Sequence, residues 1–170
     1  MKSMIIALLF ATSLTAADTT LLGGDLASFI NDRAIRTTVA LVDGPDQGGK
    51  ALQVRVNEKP EAPWKAQAWT SSITAPIATG DTIVVTLKAR CLEPAGDVGQ
   101  LSVLVGQNCP PYQEVATKAI QIGADWKEYT FNAVSSLAIP AGQVRVGFLT
   151  GYKVQTIEIA NMTVISRRTP

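Results

Sequence analysis

Strict alternation of apolar and polar residues is the feature that most limits what this chain can fold into. Leu52, Val54 and Val56 alternate with polar residues, and the same alternation continues through residues 82–90. Further runs of this kind lie at 101–105, 129–131 and 144–148. A period of two places successive side chains on opposite faces of a β-strand. The pattern therefore predicts strands that each bury one face.

Clusters of turn-forming residues separate these runs. They lie at 43–49, 79–81, 93–97, 109–111 and 140–142. About eight or nine strands at this spacing are typical of a sandwich or jelly roll. The sequence predicts an all-β fold, a jelly-roll β-sandwich of two antiparallel sheets, with a single helical turn near 26–32. The apolar phase changes near Ala160 in the last run, which predicts a β-bulge or burial on both faces.

The first residues carry the features of an export signal. Lys2 precedes an apolar run over 4–11, and small residues follow up to Asp18. This arrangement predicts a signal peptide over 1–17, and the apolar run is shorter than the ~20 residues that span a bilayer. Residues 18–170 are then expected to form a single domain. We expect the protein to be secreted or periplasmic.

Charge and residue content limit the classes of partner and of chemistry. The chain has 15 Lys and Arg against 14 Asp and Glu, so we expect neither nucleic acid nor membrane as a partner. It has no histidine, which excludes Ser-His-Asp and Cys-His catalysis. No Gly-x-Ser-x-Gly or phosphate-binding glycine motif is present. The acidic residues that a carboxylate pair would need lie in predicted turns or solvated positions, so we expect no enzymatic activity.

The two cysteines leave two alternatives open. A disulfide between Cys91 and Cys109 fits an exported protein, since such proteins commonly pair their cysteines. In a simple hairpin, however, Cys91 faces the region of Leu101, and Cys109 lies roughly 25 Å away at ~3.3 Å per residue. A crossover between sheets, or a fold-back of the chain at Cys109, removes that conflict. Without either, both are free buried thiols.

The segment PWKAQAWT at 63–70 holds two of the three tryptophans. Read as one strand, it places Trp64 on the same face as two alanines, so Trp64 is predicted to lie in the core. Trp69 falls on the other face with Lys65 and Gln67 and is predicted to be exposed. The alternative is that the segment before Thr38 covers Trp69, or that Trp69 packs at a sheet edge.

An exposed indole beside hydrogen-bonding side chains suits sugar recognition. The C–H groups of a pyranose stack on an aromatic ring, while its hydroxyls need donors and acceptors such as Gln67 and Lys65. Tyr112, in the loop after 109–111, and Tyr152, in the turn at 151–153, are further candidates. The candidate carbohydrate-binding set is therefore Trp69, Gln67, Tyr112, Lys65 and Tyr152.

Several short motifs occur in an order that points to a family. They are GPDQGGKALQV at 44–54, PWKAQ at 63–67, GD at 80–81, PY at 111–112, DWKEYTF at 125–131 and QTIEIAN at 155–161. Together they resemble galactose-binding-like jelly-roll domains, in particular the CenC-type carbohydrate-binding modules of glycoside hydrolases. The resemblance covers about 44–166. It implies a jelly roll that binds carbohydrate without catalysis.

The chain departs from this pattern at one position. Family members often carry an acidic residue before the asparagine of the last strand, near a structural calcium, whereas this chain has Ala160 before Asn161. Calcium takes about six to eight oxygen ligands, and one carboxylate is missing here. We therefore expect no metal and no cofactor, with a structural calcium left open as the alternative.

The residues and the resemblance lead to one expected function and one rival. We expect a secreted, non-catalytic protein like a carbohydrate-binding module, which recognises a polysaccharide or oligosaccharide through exposed aromatic residues. The rival is a structural or adaptor protein of the cell surface, whose exposed aromatic residue contacts a protein partner. A groove lined by Trp69, Gln67 and Tyr112 favours sugar, whereas a flat apolar patch favours protein.

Overall fold

The computed structural model describes residues 18–24, 26–29, 36–94 and 96–168, which form ten β-strands. The strands are β1 (Asp18–Gly23), β2 (Thr38–Asp43), β3 (Lys50–Val56), β4 (Gln67–Trp69), β5 (Thr82–Glu93), β6 (Gly99–Gln107), β7 (Glu114–Ile122), β8 (Lys127–Val134), β9 (Val144–Leu149) and β10 (Gln155–Arg167). Short 3-10 helices lie at Ala27–Phe29, within the predicted helical turn, and at Pro63–Lys65. The predicted signal peptide over 1–17 lies outside the described residues.

The strands form two sheets. The large sheet has the order β2-β3-β10-β5-β8, and β1 also pairs with β10; the small sheet has the order β4-β9-β6-β7. Every pair is antiparallel. The predicted all-β sandwich of two antiparallel sheets is confirmed.

The predicted alternation creates the core between the sheets. In β5, the residues from Ile83 to Ala89 alternate between fully buried and half-buried positions. Strands β6 and β9 of the small sheet contribute residues such as Val103 and Val146 to the same core. Phe148 stacks on Phe29 with ring centroids 4.7 Å apart, and neither side chain is exposed. Because one face of the small sheet packs into this core, the side chains of its opposite face lie on the surface.

The predicted bulge near Ala160 is confirmed. The register between β10 and β5 shifts between Ala160 and Thr163, and Asn161 there has a φ of 51°. Residues 155–160 of β10 pair with β3, whereas residues 163–167 pair with β1. The bulge thus lies where the strand on the other side of β10 from β5 changes from β3 to β1. A bulge shifts the alternation of side chains by one residue, which explains the change of apolar phase.

The disulfide alternative is wrong, because Cys91 and Cys109 are free. Cys91 ends the buried face of β5 in the large sheet and lies against Gly99, at the start of β6. Cys109 follows the far end of β6, roughly 25 Å along that strand at ~3.3 Å per residue, whereas a disulfide needs Cα atoms within about 7 Å. The Cys91 thiol donates to the Glu93 carbonyl at 3.3 Å.

In the part of the chain that the structure describes, no helix is long and apolar enough to cross a bilayer.

A buried carboxylate ties the turn before β5 to the end of β10. Asp81 is 4% exposed and accepts hydrogen bonds from the Ala78 N–H at 2.9 Å and the Ser166 hydroxyl at 2.9 Å. The Arg168 Nε donates to its other oxygen at 3.3 Å. Burial raises the pKa of Asp81, but these hydrogen bonds and the Arg168 charge outweigh it, so the pKa lies below its ordinary value of 3.8.

This geometry predicts an acid-sensitive contribution to stability. A carboxylate whose pKa is lower in the folded state stabilises the fold above its unfolded pKa, and that contribution is lost as pH falls through the folded pKa. We expect Asp81→Asn to flatten the decline of the unfolding free energy below about pH 4. Denaturant unfolding between pH 7 and 2.5 measures this, with Asp43→Asn for comparison. Lys50 also lowers the pKa of Asp43, but solvent screens this exposed pair, so Asp43→Asn should change the pH curve less. Parallel pH curves for Asp81→Asn and the unmodified protein would contradict it.

Candidate functional site

The outer face of the small sheet carries a cleft of about 300 Å³. The register of β4, β9 and β6 places the residues of this cleft side by side. Gln67 pairs with Leu149, and Trp69 pairs with Gly147, which also pairs with Leu104. Because paired residues point to the same side of a sheet, these side chains lie together. The lining residues are Trp64, Gln67, Trp69, Leu104, Gly106, Gln107, Tyr112, Glu114, Arg145 and Leu149.

Trp69 forms part of this cleft and is half-buried. Its indole lies where a side chain on Gly147 would stand: a Cβ added there would come within 2.0 Å of the Trp69 Cε3. The guanidinium carbon of Arg145 lies 3.7 Å from the ring centroid. Trp69 therefore faces outward as predicted, but contact with Arg145 and Gly147 leaves less of the ring open than the strand pattern predicts.

The prediction that Trp64 lies in the core is wrong. Trp64 is 61% exposed and lines the cleft. Residues Pro63–Lys65 form a 3-10 helix, and the strand begins only at Gln67, so the alternation read through the whole segment breaks down. Ala66 and Ala68 are fully buried, as the pattern predicts. The exposed aromatic platform of this segment is thus Trp64.

Tyr112 reaches the same cleft from the turn between β6 and β7. It is 54% exposed, and its N–H donates to the Cys109 carbonyl at 2.8 Å. Its φ of 57° lies in the left-handed region, which is uncommon for a bulky residue. The surrounding turn must hold this conformation, which residues with a side chain seldom adopt.

Arg145 lies in contact with both aromatic rings, 3.7 Å from the Trp69 centroid and 5.4 Å from that of Tyr112. Its Nε is buried and makes no hydrogen bond within the described chain. Burial lowers the pKa of Arg145, while Tyr112 and Glu114 act in the opposite direction. The cation–π contacts partly replace the hydration that the guanidinium has lost.

The remaining predicted residues divide between the cleft and its surroundings. Gln67 lines the cleft, whereas Lys65 is not among the lining residues and forms an ion pair with Glu61. Tyr152 lines a neighbouring cleft of about 350 Å³ beside β6 and β7. Its hydroxyl is hydrogen-bonded to Ser102, on the outer face of the same sheet. The structure therefore brings together Trp69, Gln67 and Tyr112, with Tyr152 alongside.

The carboxylates near Ala160 already have partners in the protein: Glu158 accepts from Gln53 and Arg90. Asp46 accepts hydrogen bonds from the Asn161 amide and from Lys88. Among the described residues, no group of three or more Asp, Glu, Cys or His side chains could hold a metal ion.

Sequence reasoning missed Arg145 and Gly147, although both positions carry a signal. Glycine inside the strand run 144–149 indicates a close approach by another group, here the Trp69 ring. Arg145 lies between Val144 and Val146, so its phase already directs it away from the core. Only the pairing of β4 with β9 shows that both residues meet Trp69.

Comparisons with known proteins agree with this architecture. No family model matches the chain, and no curated protein matches it in sequence. Among solved structures, it is similar to the CBM22-1 xylan-binding domain from Paenibacillus barcinonensis Xyn10C, with 10% identity, a TM-score of 0.60, and coverage of 91% of this chain and 98% of that chain. It is also similar to the second N-terminal cellulose-binding domain from Cellulomonas fimi β-1,4-glucanase C, with 17% identity, a TM-score of 0.59, and coverage of 94% and 100%.

A larger protein also contains this fold. The arabinose-bound MgGH51 α-L-arabinofuranosidase matches 88% of this chain over 25% of its own, with 15% identity and a TM-score of 0.64. At these identities the comparisons show the fold. The resemblance to CenC-type modules that the motifs indicated is confirmed at that level, as is the jelly-roll sandwich.

The contact between Trp69 and Gly147 predicts a steric effect. Gly147→Ala should displace the indole and destabilise the protein by about 1–3 kcal/mol, as overpacking does. Gly123→Ala is the control, since no atom lies within 4 Å of a Cβ there. Denaturant unfolding and tryptophan fluorescence measure the outcome. Equal stability of the two variants would contradict the ring position.

The exposure of Trp64 predicts a small effect on stability. Trp64→Ala should change the unfolding free energy by less than about 1 kcal/mol, since surface substitutions usually do little. Phe148→Ala, which empties a core position, should cost about 3–5 kcal/mol under the same conditions. If Trp64→Ala lowered the unfolding free energy as much as Phe148→Ala, Trp64 would have to be buried in the core.

Proposed function

We propose that this chain is a secreted, non-catalytic carbohydrate-binding protein that holds a polysaccharide or oligosaccharide in the cleft of the small sheet. One observation carries the proposal: the exposed rings of Trp64 and Tyr112 lie around one cleft with the polar side chains of Gln67, Gln107 and Glu114. The cleft volume is near the lower end of the roughly 300–1,000 Å³ common for ligand sites.

This combination suits a sugar ring. Aromatic faces accept the C–H surface of a pyranose, while amide and carboxylate groups bind its hydroxyls. The exposed aromatic residues lie around a concave site, which favours a sugar over the flat apolar patch that a protein partner would use. The chemistry of the lining therefore supports carbohydrate recognition.

The structure suggests a role for each predicted residue. Trp64 and Tyr112 act as the open stacking platforms, and Trp69 forms the packed floor under Arg145. Gln67 is the polar partner of the sugar hydroxyls. In this proposal Tyr152 extends the site along the sheet, and Lys65 stays outside it because Glu61 holds its ammonium group.

The residues that line the cleft favour binding without catalysis. Of the described residues that line it, Glu114 alone carries a carboxylate, whereas glycoside hydrolysis ordinarily uses a pair. Two similar structures are named as binding domains, for xylan and for cellulose. We extend this to the present chain by proposing a β-linked polysaccharide as the ligand. Export through a signal peptide over 1–17, followed by one domain over 18–170, would place it beside such polymers.

Affinity electrophoresis on gels that contain xylan, glucuronoxylan, β-glucan or mannan tests the proposal. We expect retardation on at least one of them. Trp64→Ala and Tyr112→Ala should each weaken binding about tenfold, the equivalent of about 1.4 kcal/mol for one lost stacking contact. Trp126→Ala is the matched control and should leave binding unchanged. Trp126 contacts Arg90, which forms an ion pair with Glu158 on the large sheet, away from the cleft.

Two results would overturn this assignment. Migration unaffected by every polysaccharide would end the carbohydrate proposal and favour the cell-surface adaptor. Equal weakening by Trp126→Ala and Trp64→Ala would show that the sugar is not held on the small sheet.

A further inference from the structure

The charge of the cleft is carried by two residues, Arg145 and Glu114. Glu114 accepts a hydrogen bond from the Thr117 hydroxyl at 2.5 Å. Four other arginines form ion pairs: Arg55, Arg90, Arg167 and Arg168. Within the described chain Arg145 forms no such pair, although it is more enclosed than a surface side chain. Glu114 acts on its charge without forming an ion pair, and the rings of Trp69 and Tyr112 lie close to the guanidinium.

The guanidinium of Arg145 lies close to an aromatic ring and keeps a donor without a partner. A guanidinium group is planar, and its N–H donors project from its edge. The Arg145 Cζ lies 3.7 Å from the centroid of the Trp69 ring, and the buried Nε has no hydrogen-bond partner among the described residues. A buried donor without a partner costs free energy, and a carboxylate can accept two parallel hydrogen bonds from a guanidinium edge.

We propose that the natural ligand is an acidic polysaccharide, and that Arg145 binds the carboxylate of a uronic acid residue in it. This inference rests on the proposed function and identifies the class of sugar within it. The two oxygens of a carboxylate match the planar donor edge of a guanidinium, which a single neutral hydroxyl does not. The near-zero net charge of the chain supplies no general attraction for polyanions, so recognition of the acid depends on this one site.

The test compares acidic oligosaccharides with their carboxyl-reduced forms. Calorimetry uses three β-linked acidic ligands: oligomannuronate, oligoglucuronate and xylo-oligosaccharide with glucuronic acid substituents. Each is measured beside its reduced counterpart, and a sulfated oligosaccharide is measured as well. We expect at least one acidic form to bind about tenfold more tightly than its reduced form at low salt, with the ratio falling as salt screens the charges. The unmodified full chain serves as the reference.

Arg145→Gln should abolish this preference. Arg55→Gln is the matched control, since it removes one positive charge from the large sheet and should leave the ratio unchanged. Arg145→Lys keeps the charge without the planar fork and should retain part of the preference. Thermal unfolding and near-ultraviolet circular dichroism of each variant show whether the cleft remains folded. If Arg145→Gln is unfolded, the affinity ratio of acidic to reduced ligand for Arg145→Lys, and its salt dependence, decide whether Arg145 binds the carboxylate.

Four outcomes separate this inference from the proposed function. Binding of neutral and acidic forms with equal affinity would overturn the inference and leave carbohydrate binding intact. Binding to neither form, together with failure on the polysaccharide gels, would overturn both. Preference for the sulfated oligosaccharide alone would replace the uronate with a sulfate ester. Equal weakening of both forms by Arg145→Gln would show that Arg145 only positions Trp69 and Tyr112.

Discussion

Burial of one face of each sheet against the other is the constraint on which the rest of the structure depends. The alternating residues of β5 and β10 meet those of β6 and β9, and Phe148 at the centre stacks on Phe29. Because side chains alternate strictly, this packing directs Trp69, Arg145 and Leu104 to the outer face of the small sheet. The position of the cleft is therefore a consequence of the core.

The two outer faces use their polar and aromatic residues differently. On the large sheet, Glu158 accepts from Gln53 at 3.0 Å and from Arg90 at 2.8 Å, and Arg90 stacks on Trp126. These groups satisfy one another across strands. On the small sheet, two aromatic rings remain exposed around a cleft whose arginine forms no ion pair with the described residues. The same physical elements give a closed network on one side and an open site on the other.

The floor of the cleft depends on close approach. Gly147 allows the Trp69 ring to lie against β9, and that ring supports the Arg145 guanidinium, which in turn lies beside Tyr112. Trp64 is held near them because the Ala66 carbonyl accepts from the Thr150 N–H at 2.9 Å. Loss of one contact in this series would move the next, so binding and local packing are linked in this region.

The sequence by itself determined the alternating strands β3, β5, β6, β8 and β9, the sandwich and the bulge near Ala160, because a period of two follows directly from strand geometry. It also placed Gln67 and Trp69 on the outer face, since local alternation holds within β4. It did not locate β1, β2 and β7. It failed at Trp64, where a 3-10 helix interrupts the alternation. At the cysteines it left a disulfide and free thiols both open, and the fold decided for free thiols. Tertiary structure alone decided that β4 pairs with β9 and that the turn carrying Tyr112 reaches Arg145. Contacts between distant strands depend on register and sheet order, and no local pattern in the chain encodes these.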